Sequence, residues 1–329
     1  MLDVVEDLLR DPADGLLARD ILGTDDPRRI ADQVAAFVGE PIANCALFTQ
    51  SVGAVFVLDL VRGERIVVKV HAFGPGSRTF ETLDELEAVY AAQGELAACG
   101  VACARVLAPP RSFGEGRVAA VMSYLPAPPP DDPHAPATGA AMARELARIK
   151  GLLAGCKLPQ RWQLPATLFA PAHNALFDLH RAGGEWIDQR AAAARAVLET
   201  GATLASMHSD FSCANAIVAG GKIAAIYDLD SVCIADEPRI VAFAAVHFTY
   251  TGNAPWQWPS RDQAGAFVAA YEVARGKPFD RAERARLDAA AIYGLAYTAR
   301  CEHGYVGGPS PGPSAMCAAL AAAPDRYFD

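Results

Sequence analysis

The sequence predicts an α+β chain in two lobes: an N-terminal antiparallel five-stranded sheet with one helix, then a mainly helical part holding a small β-ribbon. Three observations predict it. The apolar period changes from about 3.6 to 2 near residue 43, a proline-rich run interrupts the chain after Tyr124, and most segments beyond that run return to helical spacing. With 329 residues, 52% of them apolar, the chain can bury a core in each lobe.

Residues 1–42 read as a helical N-terminal extension. Asp26 before Pro27 makes an N-cap with proline at the first helical position; Ile30, Val34, Ala35 and Val38 follow at helical spacing, and Gly39 and Pro41 close the run. "CALFTQSVGAVFVLDLVRGERIVVKVHAF" then alternates as three strands, joined by a Gly-containing turn and by Arg62-Gly63-Glu64. A helix is expected from about Arg78 to Cys99, with Leu83, Leu86, Val89, Tyr90 and Leu96 on its apolar side and Gly100 as its stop. Two further strands are expected in "VACARVLAPP" and "GRVAAVMSYL". "PAPPPDDPHAPATG" suits neither helix nor central strand. It divides an N-terminal lobe, 43–125, from a C-terminal lobe, 126–329. Helices are expected there over 139–155, 166–182, 186–200, 238–249, 261–275 and 280–303. Among them "ATLASM", "NAIVAG" and "KIAAIYD" read as short strands, with Gly220-Gly221 as a tight hairpin turn.

A net charge of −9 argues against nucleic-acid binding, which needs a basic footprint, and leans slightly toward a cationic partner. The eight cysteines form no C-x-x-C pair, which favours buried reduced thiols over disulfides or a zinc site. No apolar run is long enough to span a membrane, and "MLDVVEDLLRDPADG" is acidic where a secretory leader is basic. A cytoplasmic protein without membrane contact, monomeric or homodimeric, is the expectation.

The chemistry concentrates in "MHSDFSCANAIVAGGKIAAIYDLDSV", Met207 to Val232. A hairpin brings Asn215, at the start of one arm, near Asp228, at the end of the other, because its arms run antiparallel. Oxygen ligands from two strand ends, with room for phosphate and water, describe a Mg²⁺ site. Asp210, in the loop just before, can accept a hydroxyl proton. An isolated H-x-D more often makes turns and caps. The whole pattern, H-x-D, four residues, Asn, an apolar strand, Gly-Gly, an apolar strand and Asp, is far more specific.

That pattern resembles the aminoglycoside phosphotransferase and choline kinase family, whose members read H-G-D, four residues, N, then "I-D-W-D"; here the text is "HSDFSCAN" and "IYDLDS". The resemblance implies a protein-kinase-like two-lobed fold and phosphoryl transfer from ATP. It makes Asp210 the catalytic aspartate and His208 the brace of its loop. Asn215 and Asp228 become the Mg²⁺ ligands, with Asp230 as a further metal or supporting position.

The resemblance also assigns the upstream half. In kinase-like folds a turn covers the phosphates, a lysine on the third strand pairs with them, and a helix glutamate fixes that lysine. Lys69 in "RIVVKVH" fits the third strand, and burying it there unpaired would be costly. Glu85 shares a helical face with Val89, Ala92 and Leu96, whereas Glu87 is turned about 200° away at roughly 100° per residue. Glu85 is therefore the expected partner and Glu87 the reserve. "TQSVGAV" would be the phosphate loop, with Ser51 and Gly53 as donors, and "VMSYLPA" the adenine-facing hinge, with backbone groups from Ser123 to Leu125. Two positions depart from the family text: Ser209 replaces the glycine of H-G-D, and Val241 stands where a second aspartate is usual.

The reading is an ATP- and Mg²⁺-dependent phosphotransferase acting on a hydroxyl of a small molecule. An aminoglycoside or amino alcohol suits the acidic balance, with homoserine or a sugar open. Tyr250, Trp256 and Trp258 in "HFTYTGNAPWQWPSRD" either stack on the acceptor or pin the loop. "HGYVGGPSPGPSAM" reads as a surface connection, and His173, His180, His247 and His303 show no ligand spacing. The alternative is a non-catalytic kinase-fold scaffold that binds nucleotide or ligand. A protein kinase is disfavoured, since D-F-G and A-P-E are missing.

Overall fold

The computed structural model describes residues 12–50, 52–72, 80–114, 116–161, 163–169, 172–173, 175–252, 256–306 and 315–328. Two helices precede the sheet, α1 (Pro12–Leu22) and α2 (Pro27–Val38). The Asp26 side chain accepts from the Arg28 N–H, and Gly39 closes α2 in the left-handed region at φ 69°. Their apolar residues, Leu17, Ile21, Ile30 and Val34 among them, pack with Phe56, Leu58, Val68 and Val70 of the sheet.

The sheet comprises β1 (Ile42–Gln50), β2 (Gly53–Leu60), β3 (Arg65–Ala72), β4 (Val106–Gly114) and β5 (Arg117–Ser123), in the antiparallel order β1-β2-β3-β5-β4. Pro109 and Pro110 are accommodated in β4 because it is an edge strand and because its register with β5 shifts between Ala108 and Arg111, so neither proline occupies a paired position. Helix α3 (Leu83–Ala98) covers the opposite face, sending Leu86, Val89, Tyr90 and Leu96 toward Val118, Ala120 and Met122. It starts later than the sequence predicts: Phe80 to Thr82 are not helical, and Thr82 is the N-cap, accepting from the Glu85 N–H. The expected start at Arg78 lies outside the described residues.

The C-terminal lobe contains α4 (Pro136–Leu152), α5 (Glu185–Leu198), α6 (Glu237–His247), α7 (Arg261–Arg275), α8 (Arg281–His303) and α9 (Ala315–Ala322). The helix expected over 166–182 does not form among the described residues, which run through turns and bends. Pro171 in mid-segment removes a helical donor and disfavours helix at the residue before it. This stretch is instead tied to the end of α8, with Asp178 N–H donating to Gly304 O (2.8 Å) and Val306 N–H to Leu176 O (2.8 Å).

Two ribbons replace the single one expected. Strand β6 (Leu204–His208) pairs with β9 (Val232–Asp236), and β7 (Ala216–Ala219) pairs with β8 (Lys222–Ile226). Gly220 and Gly221 turn the second ribbon with φ 59° and 71°, the two left-handed residues a type I′ turn requires. Asp131 from the proline-rich connection accepts from both glycine N–H groups, at 3.1 and 2.8 Å. The sheet side is joined by Ile226 N–H donating to Ala102 O at 2.7 Å. Among the described residues no helix is long and apolar enough to cross a membrane.

Candidate active site

Antiparallel pairing of His208 with Val232 sets the loop after β6 beside the loop before β9. His208 is fully buried. Its Nδ1 accepts from the Asp210 N–H (3.2 Å), and its Nε2–H faces Tyr227 O (3.3 Å). Burial depresses its pKa, so a neutral imidazole joins the two loops. Ser209 adds a second tie, because its N–H (3.1 Å) and its hydroxyl (2.8 Å) both donate to Ser231 O. Its backbone lies outside the left-handed region, so a side chain here in place of glycine brings no strain. Asn215 donates from Nδ2 to Asp210 O and Oδ2, both at 3.0 Å, while Tyr227 N–H donates to Asn215 O at 2.7 Å.

Asp228 is the only non-glycine described residue at positive φ, with φ 56° and ψ 36°, a conformation that persists only where the surroundings over-determine it. Here they do. Ser231 Oγ donates to its Oδ2 at 2.9 Å, and Lys69 donates to its Oδ1. The Lys69 ammonium, 10% exposed, also lies 2.5 Å from Asp230 Oδ1.

Burial alone would push Lys69 toward neutrality, but Asp228 and Asp230 reverse the shift and keep it charged. Burial likewise opposes ionisation of Asp228, and the Lys69 charge outweighs it, holding that carboxyl well below the usual range. Asp230 goes the other way, raised to about 6 by burial and then by Asp228. Asp210 opens to solvent on one side. The protein around its other sides, and then the Asp228 charge, still push it up to about 6.

The expected pairing of Lys69 with Glu85 is not formed. Because α3 begins at Leu83, Glu85 falls in its first turn rather than mid-helix. Its carboxylate accepts from the Glu81 N–H (3.1 Å) and pairs with Arg161 at 3.2 Å. Glu87 is exposed. Toward Lys69 the helix presents Tyr90, whose hydroxyl is 2.9 Å from His71 Nε2. His71, Tyr90 and Ser231 were not anticipated, although strand alternation puts His71 on the same face as Lys69.

Gly53 opens β2 opposite His71. A Cβ there would lie 2.7 Å from Val70 O and 3.6 Å from Lys69 Cε, so only glycine lets the strand pass this close. Ser51 lies outside the described residues. Ser123 ends β5, where its N–H donates to Arg105 O and its Oγ accepts from Arg105 N–H, both at 2.9 Å. Leu125 O accepts from the Tyr227 hydroxyl at 3.1 Å, which ties the connection to the residue before Asp228. Val241 is fully buried among apolar neighbours. The buried charge of α6 sits instead at Glu237, 2% exposed, which meets Lys150 (2.7 Å), Arg275 (2.9 Å) and the Tyr271 hydroxyl (2.8 Å).

The donor chemistry suits a hard cation. Among the described residues no group of three His, Cys, Asp or Glu side chains is arranged around a metal position. With its NH₂ committed to Asp210, Asn215 has Oδ1 to offer, and the bond from Tyr227 N–H to Asn215 O ties it to the residue before Asp228. Oxygens of this kind fit Mg²⁺, which takes few protein ligands and keeps water and phosphate.

On the far side of Asp210, Tyr250 stacks on Trp258 (5.4 Å between centroids, 11°), and Trp256 meets both edge-on. Burial and then the Asp210 charge push the Tyr250 phenol up to about 12, so Tyr250 lies near the Asp210 loop. Trp258 is anchored by Nε1–H to Glu302 Oε1 at 3.1 Å. His247 bonds Phe243 O (2.8 Å) and Thr298 Oγ1 (2.6 Å) in the helical core.

Solved structures share this architecture. An amicoumacin kinase, hAmiN, in complex with AMP-PNP, Ca²⁺ and Ami has a TM-score of 0.61 at 11% identity, covering 92% of this chain and 94% of that one. A choline/ethanolamine kinase family protein from Mesorhizobium loti gives 0.52 at 17% identity, over 92% and 90% of the chains. A thermostable mutant of aminoglycoside phosphotransferase APH(4)-Ia, in ternary complex with AMP-PNP and hygromycin B, gives 0.50 at 14% identity, over 82% and 89%. At such identities the likeness speaks for the fold alone. No curated protein matches the sequence. The family model of the phosphotransferase enzyme family matches residues 50–289, most of the chain and all of the residues just described from Gly53 to Trp258. This chain therefore belongs to the phosphotransferase enzyme family, and it is a small-molecule kinase.

Proposed function

We propose that the chain transfers the γ-phosphoryl group of ATP, bound with Mg²⁺, to a hydroxyl of a small molecule. The observation that carries this reading is the meeting of Lys69, from the sheet, with Asp228 at the same loop cluster that holds Asp210 and Asn215. Asp210 would orient the acceptor hydroxyl and take its proton. A carboxyl near pH 6 is ionised at neutral pH yet remains basic enough for that task. His208, Ser209 and Asn215 would hold its loop against the Asp228 loop. Lys69 would exchange the Asp228 carboxylate for phosphate oxygens, and Ser123 to Leu125 would face the adenine, with Gly53 over the phosphates. Mg²⁺, held by Asn215 and Asp228 with Asp230 behind them, would supply charge neutralisation on the phosphates.

A cationic acceptor, an aminoglycoside or amino alcohol, is supported by the net charge of −9 and by the ring of Tyr250 near Asp210, which can face a cation. The bound hygromycin B of the APH(4)-Ia complex supports the same class. The test is a thermal-shift screen of hydroxyl acceptors with a non-hydrolysable ATP analogue, followed by assay of phosphorylated product. A true acceptor raises stability by mass action and is phosphorylated by the wild-type chain but not by Asp210→Asn. Binding of nucleotide with no acceptor ever phosphorylated would contradict the proposal and favour a scaffold.

A further inference from the structure

We infer that Asp230, rather than a helix glutamate, is the standing counter-ion of Lys69, and that His71 and Tyr90 position it. The inference rests on the phosphotransferase reading above and concerns how this chain orients its phosphate-binding lysine.

Three buried groups, Tyr90, His71 and Lys69, form a series with the half-buried Asp230. Tyr90, 3% exposed, places its hydroxyl 2.9 Å from His71 Nε2. His71, 1% exposed, directs Nδ1 at Asp230 Oδ2 at 3.7 Å, and Asp230 Oδ1 lies 2.5 Å from Lys69 Nζ. The two oxygens of Asp230 thus face different partners. An imidazole protonated on Nδ1 suits both neighbours, accepting the Tyr90 O–H and directing N–H at the carboxylate.

The two aspartates on Lys69 are not equivalent. The Asp228 side chain is 32% exposed and Asp230 only 12%, so Asp228 is the one open to nucleotide and cation. When it is engaged there, Asp230 remains on the lysine, with the neutral His71 imidazole behind it at 3.7 Å. The helix still contributes to the site, through a phenol two steps removed, because Glu85 is occupied with Arg161. Aromatic filler alone would not account for the alignment: Lys69 and His71 alternate onto one face of β3, and Gly53 leaves space above both, its would-be Cβ 3.6 Å from each.

The full chain is titrated with MgATP, and with Mg²⁺ at fixed ATP, for wild type, Tyr90→Phe, His71→Leu, His71→Asn, the Tyr90→Phe/His71→Leu double variant and Glu85→Gln. Thermal midpoints are recorded for each. Tyr90→Phe and His71→Leu should each weaken MgATP binding about tenfold, the usual effect of losing a group that orients a ligand residue. The double variant should be no weaker than His71→Leu, because the two act in series. His71→Asn, which keeps a donor near the Nδ1 position, should recover most of the loss, and Glu85→Gln should bind as wild type. Wild-type affinity in Tyr90→Phe, multiplying losses in the double variant, or a tenfold loss in Glu85→Gln would overturn the inference. A wild-type chain that does not bind MgATP would overturn the phosphotransferase reading itself.

Discussion

Lys69 reaches from the sheet to Asp228, the residue in a left-handed conformation at the mouth of the second ribbon, so one ion pair joins the two lobes at the proposed point of phosphoryl transfer. Replacing Lys69 by Met should lower phosphoryl transfer by about 10²–10³-fold, the scale on which a preorganised charge at the reacting centre acts. Steady-state kinetics with saturating acceptor check this. Glu85→Gln, by contrast, breaks a half-exposed pair with Arg161 and should change folding stability by less than about 1 kcal/mol.

The proposed role of Asp210 as base carries an expected pH dependence. With its carboxyl at about 6 against an ordinary 3.8, kcat/KM should rise through pH 6 and level above it, measured with acceptor and nucleotide groups that do not titrate there. Stability should run in the opposite sense. Between 3.8 and 6 the folded chain holds a proton that the unfolded chain has released, so stability falls as pH rises through that window. Asp210→Asn should accordingly raise the thermal midpoint at pH 7.5 and give no gain at pH 3.5, while losing activity. Equal midpoints at pH 7.5 would contradict this.

Glu237 is the electrostatic centre of the helical lobe. Its carboxylate meets Lys150, Arg275 and Tyr271 away from solvent, and Arg275 is shared with Glu283 at 2.9 Å. Glu237→Ala should destabilise the fold by about 3 kcal/mol, because it takes the buried acceptor from Lys150 and from the Tyr271 hydroxyl and leaves Arg275 with Glu283 alone. Urea unfolding measures the loss. Val241→Asp should also unfold the lobe, since it puts a carboxyl into a site with no solvent exposure.

Ser209 tests the loop clamp. Ser209→Gly restores the residue usual in the family but removes the hydroxyl bond to Ser231 O, while keeping the backbone one. The expected loss is about 1 kcal/mol in stability, read from denaturation midpoints, with a severalfold lower kcat if the two loops must be held in register.

The sheet, its order of elements and most helices were legible because local signals decide them: Asp26-Pro27 and Gly39 bound α2, Gly220-Gly221 forces the hairpin, and period-2 runs give β2 and β3. Among the described residues of 166–182 no helix forms, and Pro171 is the sequence feature that opposes the helical periodicity there. Strand β9 was missed because "VCIAD" has its meaning only beside β6, a pairing made at long range. Asp210, Asn215 and Asp228 were expected in one loop cluster from their spacing and from the family resemblance, and Asn215 is indeed bonded to Asp210. The lysine's partners were not. The choice of Glu85 relied on an angle around the helix and assumed a helix that started earlier, whereas Thr82 as N-cap put that glutamate at the open end. Asp230 and His71 meet Lys69 through tertiary packing, which no local pattern encodes.

In the proposed transfer of phosphate onto a hydroxyl, Asp210 is the base. Mass spectrometry of reactions containing ATP, Mg²⁺ and a panel of aminoglycosides, amino alcohols, homoserine and sugars tests it most directly, comparing wild type with Asp210→Asn. The account predicts a phosphorylated acceptor with wild type and none with the variant. Equal product from both would contradict it, as would MgATP binding without phosphorylation of any acceptor.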